Sequence, residues 1–332
     1  MTVEENVSLA GLTTFRLGGP ARHLARVQDH AEVRAALSFA KERALKVFIL
    51  GGGSNVLIDD RGFDGLVIKI EITGIDKEGE TLVAGAGESW DALVARAVAD
   101  GLWGVENLSG IPGTVGGAVV QGVGAYGAAI GETLAWAESF DRKTGEIKRM
   151  SKNECAFGYR DSFFKHDNGR HVVLRAAFAL STSPRPNLSY KDLGDLRNKE
   201  ATLERIRKTI LAIRKDKFPD ITKEGTAGSF FKNLILPEIE AKRLQVRYPE
   251  MPLFAMPETA GFKVPLAWFL DHIFHVNGVR EGGVRFFERQ PLVIVADFGA
   301  SSREVIEFKE KIKKLVKEKL DIEIEEEVRI IF

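Results

Sequence analysis

Apolar positions change period twice within the first sixty residues. Asp29, with Glu32 three positions on, has the form of a helix N-cap, and Val33, Leu37 and Ala40 then recur at helical spacing. Lys46-Val-Phe-Ile-Leu50 follows as a short buried strand and runs into Gly51-Gly-Gly-Ser-Asn55. Val56, Leu57 and Ile58 then resume extended character. The opening unit therefore reads strand, helix, strand, glycine loop. Residues 65–72 and 81–86 predict further strands, and Trp90, Leu93, Val94, Ala97 and Val98 mark a second amphipathic helix stopped by Gly101. A glycine-rich stretch covers 109–131. Beyond it, 133–149 alternate about Asp141-Arg-Lys-Thr-Gly145 as a hairpin, 171–180 form a strand, and 183–190 read as an excursion loop. A helix at about 200–215 leads to Phe218-Pro-Asp220, a domain boundary. The remainder predicts helices at about 237–247, 265–275 and 303–319, a strand at 292–295 and a closing strand over 322–332. The class is α+β, with expected domains at 1–62 (a candidate to gain the strand 321–332), 63–217 and 218–320.

Composition narrows what such a chain does. At 332 residues and 44% hydrophobic it has material for about two or three cores. Forty-seven basic residues balance 47 acidic ones, so no net field favours nucleic acid or an anionic membrane. No run of about 18 apolar residues occurs and the first residues lack the regions of a signal peptide, which makes the cytoplasm the expected location. The lone cysteine, Cys155, excludes an internal disulfide, and its flanks offer nothing to activate a thiolate. His272 and His275 lie at i and i+3 without an accompanying carboxylate motif, so no metal is expected.

Candidate chemistry sits in the glycine loops and at one serine. Residues 51–55 follow a strand but lack Gly-Lys-Ser/Thr and lead into extended chain, so they form neither a P-loop nor a Rossmann turn. Residues 122–127 match G-x-G-x-x-G letter for letter, yet the preceding segment is a poor first strand and the acid at fingerprint distance is missing. Both loops are suited to holding a dinucleotide through backbone N–H groups. Tight turns between packed strands are the plainer reading. Ser229, in Gly225-Thr-Ala-Gly-Ser-Phe-Phe-Lys-Asn233, is an acid, a nucleophile, or simply a turn or cap residue. A hydrolase elbow would require Gly-x-Ser-x-Gly, and here Phe-Phe follows the serine.

Taken together, Leu50-Gly-Gly-Gly-Ser-Asn-Val-Leu57, Ser109-Gly-Ile-Pro-Gly-Thr-Val-Gly-Gly117, Gly124-Ala-Tyr-Gly127, Phe157-Gly-Tyr-Arg-Asp-Ser162, Gly228-Ser-Phe-Phe-Lys-Asn233 and Glu327-Val-Arg329 resemble the UDP-N-acetylenolpyruvoylglucosamine reductase family over nearly the whole chain. The resemblance implies a two-subdomain FAD-binding fold of the vanillyl-alcohol-oxidase type followed by an α+β substrate-binding domain. It implies non-covalent FAD held by Leu50, Gly51, Gly52, Gly53, Ser54, Asn55, Ile111, Pro112, Gly113, Thr114, Gly116, Gly117, Gly124, Ala125, Tyr126 and Arg214. Ser189-Tyr-Lys-Asp-Leu193 and Arg214-Lys-Asp-Lys217 are similar to the loop-bearing subtype. Tyr190 and Lys217 then meet the UDP diphosphate, with Asn233 and Gln290 beside them and Tyr126 and Tyr159 also facing substrate.

The activity implied is reduction of the enolpyruvyl ether of UDP-N-acetylglucosamine-enolpyruvate in peptidoglycan synthesis, by a monomer using NADPH. Arg160 offers a guanidinium fork for the substrate carboxylate. Glu327 as a neutral acid stabilises the developing oxyanion, and Ser229 gives the proton to carbon. Flavin carries the hydride from NADPH, because no side chain can. Read by themselves, the alternating acids around Glu327 also suit a solvated strand face, and Arg160 a surface ion pair with Asp161. The alternatives are an FAD-dependent alcohol or sugar oxidase of the same fold and a non-catalytic dinucleotide-binding protein. No His or Cys stands in a motif like a covalent flavin tether. The chain departs from the family pattern at Gly122, where Asn is common, at Leu234, where Pro is common, and at Asn277-Gly278, where Lys-Gly is common.

Overall fold

The computed structural model describes residues 1–198, 201–256 and 261–332. They fall into two units. One comprises Met1–Leu12, Gly19–Ser54 and Arg61–Lys215, the other Thr13–Gly18, Asn55–Asp60 and Asp216–Phe332.

The first unit is built on two sheets. In one, Pro20–Val27, Phe63–Ile70 and Lys46–Leu50 run parallel in that spatial order, with Val3–Ser8 antiparallel on the outer edge. The crossover helix is His30–Glu42. The Asp29 side chain accepts the Glu32 N–H at 2.8 Å while the Glu32 carboxylate accepts the Gln28 N–H at 2.9 Å, so the start read from the sequence is satisfied from both sides. Val33, Ala36 and Ala40 face the core. The other sheet is antiparallel, in the order Ile147–Ser151, Leu134–Asp141, His171–Ala179, Thr81–Gly85, Ile75–Glu78. Its expected hairpin is closed by Asp141, whose Oδ1 accepts the Lys143 N–H at 2.8 Å and Arg170 Nε at 2.9 Å. The hydrogen-bonded Arg170 guanidinium holds that carboxyl well below the usual carboxylate range. Trp90, fully buried in the helix Trp90–Ala99, donates its indole N–H to the Leu108 carbonyl at 3.0 Å and meets Phe178 edge to face.

Within the glycine-rich stretch, to which the sequence pattern assigns no element, the structure places a helix, Val115–Gln121. Glycine is a poor helix former, and propensity alone argues against this segment. Packing decides otherwise: a Cβ on Gly116 would stand 2.8 Å from the Ala86 side chain, so the helix needs glycine there to reach the sheet. Thr114 caps its start, and Gly122 ends it in the left-handed region at φ +60°.

In the second unit, Val284–Phe287 pairs with Gln290–Ala296, Gly261–Val264 lies between Leu234–Pro237 and Phe254–Met256, and Arg329–Ile331 runs parallel to Val56–Ile58. Helix Ser302–Leu320 opens with a reciprocal Ser301/Glu304 capping box and buries Val305, Phe308, Ile312, Val316 and Leu320. Two expected elements are shorter than read. The segment 265–275 holds one turn, Leu266–Trp268, that widens into a π-type turn, Phe269–Ile273. Over 322–332 only Arg329–Ile331 is strand; Ile322 and Ile324 are buried and Glu323 and Glu325 exposed, so the alternation is real, but 325–327 bonds to 230–232 rather than continuing a ladder. The helix read from about 200 begins at Leu203, residue 200 lying outside the described residues. Among the described residues no helix is long and apolar enough to cross a membrane.

Cys155 lies in the core of the first unit, and burial pushes its thiol up to about 11. The folded protein should therefore be inert to a thiol reagent at about pH 8 and react after unfolding. Prompt labelling of the native protein, followed by absorbance of the released chromophore, would contradict this burial.

Candidate functional site

In the first unit the two glycine loops interlock. A Cβ on Gly51 would lie 2.8 Å from Thr114 Oγ1, one on Gly52 2.5 Å from Gly113 Cα, and one on Gly113 (φ +117°) 2.6 Å from Ser54 Oγ. Backbone meets backbone where a side chain would otherwise stand. Ser54 Oγ donates to the Pro112 carbonyl at 3.0 Å, and Thr114 Oγ1 accepts the Gly117 N–H at 3.4 Å. The expected cofactor residues Gly51, Gly52, Ser54, Pro112, Gly113, Thr114 and Gly117 are thus brought into one cradle, with Leu50, Gly53, Ile111 and Gly116 next to them in sequence. Among the described residues, the backbone N–H groups of Gly52, Gly53 and Ser54 have no acceptor in the protein. Consecutive N–H groups left open in a tight loop make a nest for an anion, and a dinucleotide's pyrophosphate fits that donor set. Lys69, not singled out from sequence, donates to the Gly51 carbonyl, and burial pushes its pKa down. Asn55 belongs to the second unit, where its Nδ2 donates to the Glu327 carbonyl at 3.1 Å.

The letter match at 122–127 has another meaning in space. Gly122 ends a helix, and Gly124–Ala125 pairs with Ala128–Ala129 across a turn made by Tyr126 (φ +52°) and Gly127 (φ +85°). A Rossmann turn joins a strand to a helix; this one joins two short strands. Tyr126 meets Tyr190 edge to face at 5.1 Å and is hydrogen-bonded to Arg214, whose pKa burial pushes down against the pull of Tyr126 and Asp91. Asn107 Nδ2 donates to the carbonyls of Tyr126 (2.8 Å) and Asn187 (2.9 Å), and Asn187 Nδ2 donates to the Gly127 carbonyl at 2.8 Å. These two asparagines strap the Tyr190 loop to the Tyr126 turn, and the sequence reading missed both. The available signal was Asn107 itself, a short amide inside the buried run 105–108.

Arg160 stands in the tight turn 158–161, closed by Gly158 N–H to Asp161 carbonyl (3.1 Å) and Asp161 N–H to Gly158 carbonyl (3.2 Å). Its φ is +55°, a conformation that costs a non-glycine residue about 1–2 kcal/mol. Its guanidinium carbon is 5.6 Å from the Tyr159 ring centre, and a Cβ on Gly124 would stand 3.2 Å from its Nη1. Asp161 bonds the His166 ring at 2.8 Å.

In the second unit, Ser229 follows Gly228 (φ +77°) and pairs with Val293. Phe230 donates its N–H to the Leu292 carbonyl at 2.7 Å and accepts the Glu327 N–H at 2.8 Å on its own carbonyl. That pairing brings Ser229 and Glu327, far apart in sequence, onto neighbouring backbone segments. The rings of Phe230 and Phe231 are fully buried and anchor the segment. Asn233 Oδ1 accepts the Leu266 N–H at 3.2 Å, and Gln290 starts the strand that pairs with Ser229's segment. Lys217 is the last residue of helix Leu203–Lys217. Tyr126, Tyr159, Arg160, Tyr190 and Arg214 belong to the first unit; Lys217, Ser229, Asn233, Gln290 and Glu327 belong to the second.

Residues 21–151 match the family described as FAD binding domain, and residues 220–331 the family described as UDP-N-acetylenolpyruvoylglucosamine reductase, C-terminal domain. The chain is 39% identical to the UDP-N-acetylenolpyruvoylglucosamine reductase of Pseudomonas putida, with 98% of this chain and 99% of the relative covered. It belongs to the UDP-N-acetylenolpyruvoylglucosamine reductase family. A relative of the same description from Ralstonia nicotianae is 37% identical over 96% of both chains. The crystal structure of UDP-N-acetylenolpyruvylglucosamine reductase from Thermus caldophilus superposes with a TM-score of 0.71 at 26% identity, covering 100% of each chain. Members of the UDP-N-acetylenolpyruvoylglucosamine reductase family are oxidoreductases, and this chain carries the FAD-binding domain and the separate C-terminal domain expected of an α+β flavoenzyme.

A methyl added at Gly52 has nowhere to go except into Gly113. Gly52→Ala should cost about 1–3 kcal/mol of apoprotein stability through overpacking and abolish flavin retention. Thermal unfolding and the flavin absorbance of the purified variant check both, and a yellow variant with wild-type stability would contradict the cradle.

Proposed function

We propose that the chain reduces the enolpyruvyl ether of UDP-N-acetylglucosamine-enolpyruvate to UDP-N-acetylmuramate, a peptidoglycan precursor, with NADPH as reductant. The observation that carries this reading is near-full-length identity with relatives named for that substrate. The open N–H groups of the glycine cradle support the cofactor half of it. When bound, FAD would supply the hydride that it takes from NADPH.

The residues of the chain do the rest. The reaction adds hydride to the terminal carbon and a proton to the carbon bearing the ether oxygen, so negative charge spreads into the substrate carboxylate between the two events. Arg160 binds that carboxylate with its planar fork, and the turn that holds Arg160 fixes where the fork points. Glu327, in its protonated form, donates a hydrogen bond to the oxygen on which charge builds. Ser229 Oγ–H then hands its proton to carbon and recovers one from solvent. A hydroxyl is a weak acid, and placement together with the basicity of the intermediate makes it sufficient. The adjacency of Ser229 and Glu327 through the Phe230 carbonyl supports their joint assignment. Tyr190 and Lys217 bind the diphosphate, with Asn233 and Gln290 beside them and Tyr126 and Tyr159 also facing substrate.

Ser229→Ala separates the two halves of the cycle. Anaerobic bleaching of the flavin by NADPH should be little changed, while its reoxidation by the enolpyruvyl substrate slows by about 10²–10⁴-fold. Equal loss in both halves, read by stopped-flow absorbance, would remove Ser229 from the acid role.

A further inference from the structure

Left-handed backbone at Arg160 needs a cause outside the residue, because L side chains avoid that region. Beyond the two backbone bonds between Gly158 and Asp161 that close the turn, three contacts bear on it. Lys165 Nζ, from the short helix Phe163–His166, donates to the Arg160 carbonyl at 2.6 Å. Ser162 Oγ donates to the Val120 carbonyl at 2.6 Å. Gly122 approaches the Asp161 carbonyl so closely that a Cβ would stand 2.3 Å from its oxygen. Of the three, the Lys165 bond is the one made to residue 160 itself. Ser162 and Gly122 tie down the chain that follows, and His166 holds the Asp161 side chain.

We propose that Lys165 is a positioning residue for Arg160. Its ammonium fixes the carbonyl of residue 160, and with it the backbone rotation that sends the guanidinium alongside Gly124. An N–H bond from a charged donor is stronger than a neutral one. With that bond lost, the Gly158–Asp161 pair still restrains the turn, but residue 160 is free to shift toward negative φ, which turns its Cα–Cβ bond and carries the fork away from where the carboxylate is bound. The proposal rests on the reading of Arg160 as the carboxylate-binding group.

The test is a double-mutant cycle on the holoenzyme, with flavin reduced anaerobically by dithionite and then reoxidised by the enolpyruvyl substrate. Lys165→Met should slow reoxidation roughly 5- to 30-fold, with flavin content and thermal midpoint unchanged. Lys165→Arg, which keeps a charged donor, should recover most of the rate. In an Arg160→Gln background, Lys165→Met should make no further difference. If it slows that enzyme as much as the wild type, Lys165 acts elsewhere and the proposal falls while the reading of Arg160 stands. If Arg160→Gln alone leaves reoxidation untouched, the reading of Arg160 fails instead. Should Lys165→Met lose its fold, Lys165→Gln goes through the same cycle and the same comparison of rates decides.

Discussion

The approach of the 51–54 backbone to the 112–114 backbone is the constraint on which the first unit depends. Two chains come within a distance that no Cβ permits, at Gly52 on one side and Gly113 on the other. Three consequences follow from that closeness. The strand Lys46–Leu50 must end where it does, helix Val115–Gln121 must be capped by Thr114, and, among the described residues, the N–H groups of Gly52, Gly53 and Ser54 have no acceptor in the protein. Glycine here does more than permit a turn. It shapes a surface of donors that a side chain would cover.

A similar economy operates in the second unit through one carbonyl. Phe230 is held on both sides, its ring in the core and its peptide between the 292 and 327 segments. The serine before it and the glutamate across from it are therefore held on backbone segments that Phe230 joins. Rigid placement of this kind suits groups whose work requires aim more than affinity.

How far the fold was legible depended on the range of the forces involved. Asp29 with Glu32, and the apolar faces of the helices from Trp90 and from Ser302, are local patterns and were readable. The glycine motifs were readable as a set, since close approach demands one residue type at each point. Helix Val115–Gln121 was hidden because its Gly116 answers to Ala86, a residue distant in sequence. The π-type turn Phe269–Ile273 was hidden because its apolar spacing is the same as that of an ordinary helix. Asn107 and Asn187 act on backbone carbonyls many residues away, and Lys165 on a carbonyl whose unusual rotation no sequence pattern announces. Arg160 and Glu327 came to notice through family motifs; their own surroundings in sequence favoured plain surface roles.

The second unit is assembled from three separated stretches of chain, two of them, 13–18 and 55–60, within the first sixty residues. The strand Val56–Ile58 finds its partner in Arg329–Ile331, far along the sequence. During synthesis those early residues leave the ribosome long before residues 329–331 do. Buried Leu57 is meanwhile an exposed apolar side chain in a nascent protein. The unit that carries Ser229 and Glu327 thus cannot close until residues 329–331 have been made, however early its first strand was.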